Sequence, residues 1–283
     1  MKKVGLLKKK FFSMERLVAI VEDMHKKSSH WNKYLRKEWK EFDNNISKNL
    51  QDLYNDLKYG TYKHGGYYVF KKLDSGKIRV IHSASPRDRI VDQLLADILE
   101  FVFMPKLQRG HVYGSIRGLG QHKCRLRAIN RIRKQEKDIF VGSADIMQYY
   151  PTCNPDTIIK VLCKYVKDKW VISLSKEFLS LGYVVLGNIS SNILGHINLL
   201  DIDYQIVRKF KCDYLRFCDD TIFISDNKQT VRSAITYYIQ KVTEGGQTVK
   251  PNWSIHKVSD KNMVDLLGVR IGTTHRKLLF RLL

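Results

Sequence analysis

Apolar residues recur at three- and four-residue intervals through the first 60 positions of the chain. In "SMERLVAIVEDMHKK", and again in "SKNLQDLYNDLKYGTY", that spacing predicts helices with one buried face. In "YYVFKKLDSGKIRVIHSAS" the pattern changes to two β-rich runs flanking Asp74, Ser75 and Gly76, which predicts a hairpin. "RDRIVDQLLADILEFVFMPKL" returns to helical spacing with few polar interruptions, as a well-buried helix would. The compact apolar run "KDIFVGSADI" predicts a central strand ending near Asp145. Helices follow in "NPDTIIKVLCKYV" and "SSNILGHINLLDIDYQIVRKF", then a hairpin in "YLRFCDDTIFIS" and a late strand in "MVDLLGVRIG". No internal repeat and no Pro/Gly linker interrupts this order. It describes an α+β chain with a small antiparallel sheet flanked by helices.

Composition adds a partner. Lysine and arginine number 50 against 28 acids, a formal charge of +22 over 283 residues. Aromatic and branched aliphatic residues run the whole length, so the charge decorates a folded body rather than a basic tail. Such an excess favours nucleic acid, or less often an anionic membrane surface. Five scattered cysteines with no CxxC pair suggest neither a zinc site nor a disulfide framework, which fits a reducing cytoplasm. The basic start "MKKVGLLKKKFF" lacks the apolar core of a signal peptide, and no apolar run reaches the roughly 18 residues of a membrane span. The expectation is a cytoplasmic protein with no membrane partner.

Against that background the adjacent carboxylates Asp219 and Asp220 stand out between two apolar, β-branched runs. An Asp-Asp pair in a hairpin is also ordinary turn chemistry. If the strand ending in Asp145 lies beside this hairpin, however, three carboxylates meet at one sheet edge, where they repel one another. Magnesium resolves such a conflict, because it takes carboxylate oxygens and bridges to substrate phosphates. Two ions close together serve displacement at phosphorus.

At this point the chain resembles the reverse transcriptases. "FCDD" is similar to their Tyr-x-Asp-Asp signature, with Phe217 in place of the tyrosine and Cys218 at the variable position. "SADIMQYYP" resembles the segment bearing the first catalytic aspartate, "SPRDRIVDQLL" the fingers segment of bacterial and group II intron enzymes, and "YGSIRGLGQHK" the glycine-containing segment just after it. "VKPNW" and "DLLGVRIG" resemble the last palm segments, the second being the primer grip. In "LGNISSN", Leu186, Gly187 and Ser191 match the form found in diversity-generating retroelements, whereas Asn192 replaces a glutamine and is one methylene shorter.

The resemblance implies a right-hand polymerase fold, with fingers and a helical N-terminal segment over 1–140, palm over 141–270, and the start of a thumb or a tail over 271–283. It implies RNA-directed DNA polymerase activity with two Mg2+ ions, Mn2+ being a substitute, and error-prone copying if the diversity-generating type applies. Asp145, Asp219 and Asp220 become catalytic metal ligands, joined by the Ile146 carbonyl. Tyr150 matches the steric gate that excludes a 2′-hydroxyl, although a core aromatic is the alternative. Lys77 and Arg79, alternating on one strand face, resemble the pair that neutralises the incoming triphosphate, and Gly187 the close approach to the nascent pair. Leu186, Ser191, Asn192, Leu267 and Gly268 fall at template or primer contacts, and Lys250 at the position of a general acid for pyrophosphate. The arginine-rich "KCRLRAINRIRK" faces template phosphates, or an accessory protein or RNA.

The partners implied are an RNA template, a DNA or RNA primer and dNTPs, in a bacterial or phage-infected cell. Family members continue past the primer grip into a helical thumb, whereas this sequence stops at Leu283. The thumb is therefore expected to be short, missing, or replaced by an accessory protein or second subunit that completes the duplex clamp. Two other readings stand beside this one: a defence-associated bacterial reverse transcriptase, and an idle nucleic-acid-binding scaffold on a degenerate palm.

Overall fold

The computed structural model describes residues 3–74, 76–133, 138–274 and 276–278, and among them ten α-helices and nine β-strands. In chain order these are α1 (Leu7–Phe11), α2 (Met14–Lys26), α3 (Lys33–Asp43), α4 (Ile46–Tyr59), β1 (Tyr67–Asp74), β2 (Lys77–Ala84), α5 (Pro86–Arg109) and α6 (Gly120–Arg133). Then come β3 (Phe140–Asp145), α7 (Pro155–Tyr165), α8 (Lys169–Phe178), α9 (Ser190–Lys209), β4 (Asp213–Phe217), β5 (Asp220–Ser225) and α10 (Lys228–Glu244). Four short strands close the order: β6 (Ser254–Lys257), β7 (Val264–Leu266), β8 (Val269–Ile271) and β9 (Arg276–Leu278). The chain divides into two units, one holding the chain up to Phe103 with Pro155–Leu194, the other Met104–Asn154 with the chain from Gly195 on.

In the first unit, helical spacing reads directly into burial. Ser13 caps α2 by accepting from the Arg16 N–H at 3.1 Å, a contact worth ~1 kcal/mol, and Leu17, Ile20 and Val21 make the buried stripe. In α4 the stripe is Leu50, Leu53 and Leu57, and Gly60 ends the helix at φ 76°. Ile90, Val91, Leu94, Leu95, Ile98 and Leu99 of α5 are all fully buried, so this helix is wrapped by protein on several sides, as its sequence predicts. The hairpin β1–β2 pairs Asp74 with Lys77 in register. Ser75, at its predicted turn, lies outside the described residues.

In the second unit, β4, β5, β3 and β6 form an antiparallel sheet in the order β4-β5-β3-β6. Both faces are covered, which explains the continuous apolar runs around the central strands. Ala128, Ile129 and Ile132 of α6 share a core with Val141, Leu215, Ile222 and Ile224. The intervening residues face α10: a Cβ at Gly142 would stand 2.3 Å from the Ile235 side chain and 2.7 Å from that of Val231. Only glycine lets this helix lie so close to the strand.

One prediction is corrected here. "MVDLLGVRIG" forms a tight hairpin, β7–β8, and not a single strand. Leu267 and Gly268 make its two-residue turn, with φ 50° and 80°. Two successive positive φ values suit the hairpin twist, and Leu-Gly is a weaker signal for that turn than Asn-Gly. Of the segment 271–283, residues 275 and 279–283 lie outside the described residues, as does Lys134 of the arginine-rich stretch.

Candidate active site

Strand register brings the acids together. Antiparallel pairing of β3 with β5 sets Ala144 opposite Thr221 and Asp145 opposite Asp220, and the Thr221 hydroxyl donates to the Ala144 carbonyl at 2.8 Å. Directly opposed side chains on one face stand about 5 Å apart at Cβ. The turn between β4 and β5 is Cys218–Asp219, so Asp219 projects from the turn while Asp220 is the first strand residue. Two like charges placed opposite each other destabilise a sheet, and no hydrophobic requirement asks for them.

A cation answers part of that charge. The Lys250 ammonium is ion-paired with Asp145 Oδ2. The backbone beyond β3 fixes this pairing: Lys250 N–H donates to the Asp145 carbonyl at 2.8 Å, Met147 N–H to the Thr248 carbonyl at 2.8 Å, and buried Ile146 bridges to Val249. The Asp145 hydrogen bond raises the Lys250 pKa, aided by the charges of Asp145, Asp219 and Asp220 and opposed by burial. Asp145 Oδ1 is shielded from solvent and accepts no hydrogen bond. Among the described residues, no three His, Cys, Asp or Glu side chains stand together in a group that could hold an ion as they are. The donor set nevertheless fits magnesium: hard carboxylate oxygens on opposed strands, one of them buried and unsatisfied.

Beneath the turn lies a polar network that sequence reading misses. Arg216 of β4, fully buried, forks onto Asp203 of α9, with Nε–Oδ1 at 2.8 Å and Nη2–Oδ2 at 2.6 Å. Its Nη1 donates to the Cys218 carbonyl at 3.0 Å, to His196 Nδ1 at 3.0 Å and to the Tyr149 hydroxyl at 3.3 Å. Tyr149 in turn donates to the Gly195 carbonyl at 2.7 Å, and Tyr214 to Asp203 at 2.7 Å. Cys218 has φ 55°, a costly value for a residue with a side chain. Gly114 packs against it so closely that a Cβ there would come within 2.6 Å of the Cys218 nitrogen. His196 bonds the Gly114 carbonyl at 2.7 Å, and burial, with the nearby Arg216 charge, lowers its pKa to about 3. It is therefore neutral, with the proton on Nε2. A charged residue at a core-facing position of an apolar strand, with an acid inside an apolar helix, was the available signal for this pair.

The two tyrosines after Asp145 separate in role. Tyr149 is buried in the network, while Tyr150 is half-buried beside it, their ring centroids 5.1 Å apart. A Cβ at Gly195 would meet both rings, at 3.3 and 3.2 Å. A cavity of about 230 Å³ opens beside the acids, lined by Asp145, Asp220, Asn252, Trp253, Leu267 and Gly268 among others. The Leu267 carbonyl is held by Arg125 and, at 2.9 Å, by Gln121, and Arg133 donates to the Thr274 carbonyl at 2.8 Å. Arg127 and Arg131 pair with Asp213. Much of the arginine-rich helix thus braces the protein itself, including the turn of β7–β8.

The remaining predicted residues lie in the first unit. Lys77 and Arg79 share one face of β2, and Arg79 Nε donates to Asp74 at 2.7 Å. Gly187 has φ 130°, and a Cβ there would stand 2.1 Å from the His82 carbonyl oxygen, so the close approach it permits is to the protein's own strand. Leu186 accepts from the His82 N–H at 2.7 Å. Ser191 is buried and Asn192 exposed. Asp92, in the predicted fingers segment, holds this turn by accepting from the Ile189 and Ser190 N–H groups at 2.5 and 3.1 Å, and burial raises its pKa to about 6.

No family model matches the chain. Among curated proteins it is similar to a putative COX1/OXI3 intron 1 protein of Saccharomyces cerevisiae, 29% identical over 141 residues, covering 48% of this chain and 16% of that one. Among solved structures it is similar to apo telomerase of Candida tropicalis truncated from its C-terminal domain, with TM-score 0.58, 14% identity, and 79% and 58% of the two chains covered. Telomerase of Candida albicans, in complex with a fragment of telomeric RNA, gives TM-score 0.58 at 12% identity over 74% of this chain and 44% of the other. The chain spans less than two thirds of each relative's length. It has the right-hand polymerase fold seen in telomerase.

Proposed function

We propose that the chain is an RNA-directed DNA polymerase whose catalytic acids are Asp145, Asp219 and Asp220. The observation that carries this reading is the register that sets Asp145 across from Asp220, with Asp219 in the adjoining turn. In this reading the primer's 3′-hydroxyl gives up its proton to solvent, its oxygen attacks the α-phosphorus of a dNTP, a phosphodiester forms, and the bond to the β-phosphate oxygen breaks to release pyrophosphate. Bound Mg2+ would supply the charge that lowers the pKa of the 3′-hydroxyl and stabilises the leaving group. The three carboxylates, with the Ile146 carbonyl, would hold that ion. Lys250, paired with Asp145 in this structure, would be freed from that pairing by a bound cation, and its ammonium would then supply a proton to the departing pyrophosphate. Tyr150 excludes the 2′-hydroxyl of a ribonucleotide, and Lys77 and Arg79 neutralise the triphosphate. The cavity beside Leu267 and Gly268 receives the primer terminus.

The sequence stretches 1–140 and 141–270 serve as fingers and palm, and an accessory protein or second subunit completes the grip on the duplex. Leu186, Gly187 and Ser191 support the diversity-generating subgroup, with exposed Asn192 as the point of template contact that differs. The test is extension of a primer annealed to RNA, with Mg2+ and dNTPs, by wild type and Asp219→Asn, each also with co-expressed partners. Complementary DNA from wild type and none from the variant is the expected result. Equal products from both would contradict the assignment, and errors concentrated opposite template adenines would support the subgroup.

A further inference from the structure

Arg216 lies below the catalytic turn, fully buried and out of reach of any substrate, yet its Nη1 alone touches two parts of the site. One contact, at 3.0 Å, is the Cys218 carbonyl in the turn that carries Asp219. The other, at 3.3 Å, is the hydroxyl of Tyr149, whose ring packs against that of Tyr150. The guanidinium itself cannot swing, because Asp203 grips it in two-point fashion and His196 closes a further side. Cys218 sits at φ 55° with Gly114 against it, a conformation that persists only where surrounding contacts impose it. A buried ion pair is weak evidence for stability, since well-packed apolar residues often serve as well. Its retention here calls for another reason.

Resting on the polymerase reading, we propose that Arg216 is a positioning residue that sets the Asp219 turn and the Tyr149–Tyr150 pair with one rigid fork, coupling the placement of the catalytic acid to discrimination against ribonucleotides. Lysine at this position keeps the charge against Asp203 but lacks the planar fork that reaches the Cys218 and Tyr149 oxygens together. Arg216→Lys should therefore fold while releasing both parts. Tyr149→Phe removes one oxygen and should release only the tyrosine pair.

The test compares these two variants with wild type at equal folded fraction, set by thermal melting and by active-site titration. For Arg216→Lys, kcat should fall about tenfold or more with the KM for dNTP little changed, because geometry and not binding is lost, and selection for dNTP over rNTP should fall with it. Tyr149→Phe should lose selection and keep most of kcat. A second measurement does not depend on activity: the rate at which a maleimide modifies Cys218, read peptide by peptide in the mass spectrometer. That rate should rise severalfold in Arg216→Lys and stay at the wild-type value in Tyr149→Phe, as the turn is freed only in the first. Unchanged kcat, selection and Cys218 labelling in Arg216→Lys would overturn the proposal. If the wild-type chain extends no primer, the polymerase reading fails, while labelling still decides whether the fork holds the turn.

Discussion

At the scale of single residues, the site is organised by one ammonium and one glycine. Lys250 meets Asp145 Oδ2, where a divalent ion would approach, and leaves Oδ1 without a partner. Replacing Lys250 with Met removes a competitor for that carboxylate. It should tighten Mn2+ binding severalfold, measured by titration, while slowing turnover if the ammonium also serves pyrophosphate. Weaker Mn2+ binding in that variant would show that the lysine helps to assemble the site. Gly195 lets the Tyr149 and Tyr150 rings pack over α9. An added methyl should displace Tyr150, so that Gly195→Ala loses discrimination against rNTP by roughly tenfold, about 1.4 kcal/mol. Single-nucleotide incorporation with dNTP and rNTP in competition reads that ratio.

At the scale of elements, sequence periodicity carries far. The hairpin at 213–225, the strand ending at Asp145 and the long helices all follow from apolar spacing, because each needs only its own segment to declare itself. The Asp145–Asp220 pairing could be expected from segment order, since neighbouring strands of one small sheet bring their ends together. The β7–β8 turn escaped, because Leu-Gly is a weak turn signal and Leu reads as strand. The Arg216 fork escaped too, since its partners come from two distant segments that no local pattern joins: Asp203 and His196 from α9, and Tyr149 from the stretch after β3. The arginines of α6 were legible as a charge run but not as a brace on the Leu267 carbonyl. Arg125→Ala should therefore weaken primer-terminus binding more than dNTP binding, seen as a raised KM for primer–template with the KM for dNTP near wild type.

Buried His196 adds a pH signature at the same scale. Its folded pKa, about 3, lies below the unfolded value near 6.5. Its contribution to stability is thus fully present above pH ~6.5 and is lost as pH falls from there toward 3, where the unfolded chain takes up the proton first. Gln retains one donor and one acceptor for the Gly114 carbonyl and Arg216, and does not titrate. Thermal melting of His196→Gln should show a shallower loss of stability between pH 6.5 and 4 than wild type. Parallel pH profiles would mean that His196 does not set this limb.

At the scale of the whole molecule, the balance of charge is what composition could say and geometry could not. A formal charge of +22 favours binding to a polyanion, and the affinity measured for one should fall steeply with salt in a log–log plot, as counterion release requires. The fold is shared with telomerase at low identity and does not by itself carry an activity, so the proposed chemistry rests on the acids. Among the described residues no helix is long and apolar enough to cross a membrane. In so basic a chain a divalent cation needs a local cluster of acids, and the proposed reading assigns that role to Asp145 and Asp220 on opposed strands with Asp219 in the adjoining turn. The most direct test of that claim is Mn2+ uptake followed by the loss of the free-ion electron paramagnetic resonance signal, in wild type and in Asp219→Asn at equal folded concentration. Saturable uptake by wild type that is lost or strongly weakened in the variant, with Mg2+ competing, is the predicted result. Equal uptake by both proteins would contradict it.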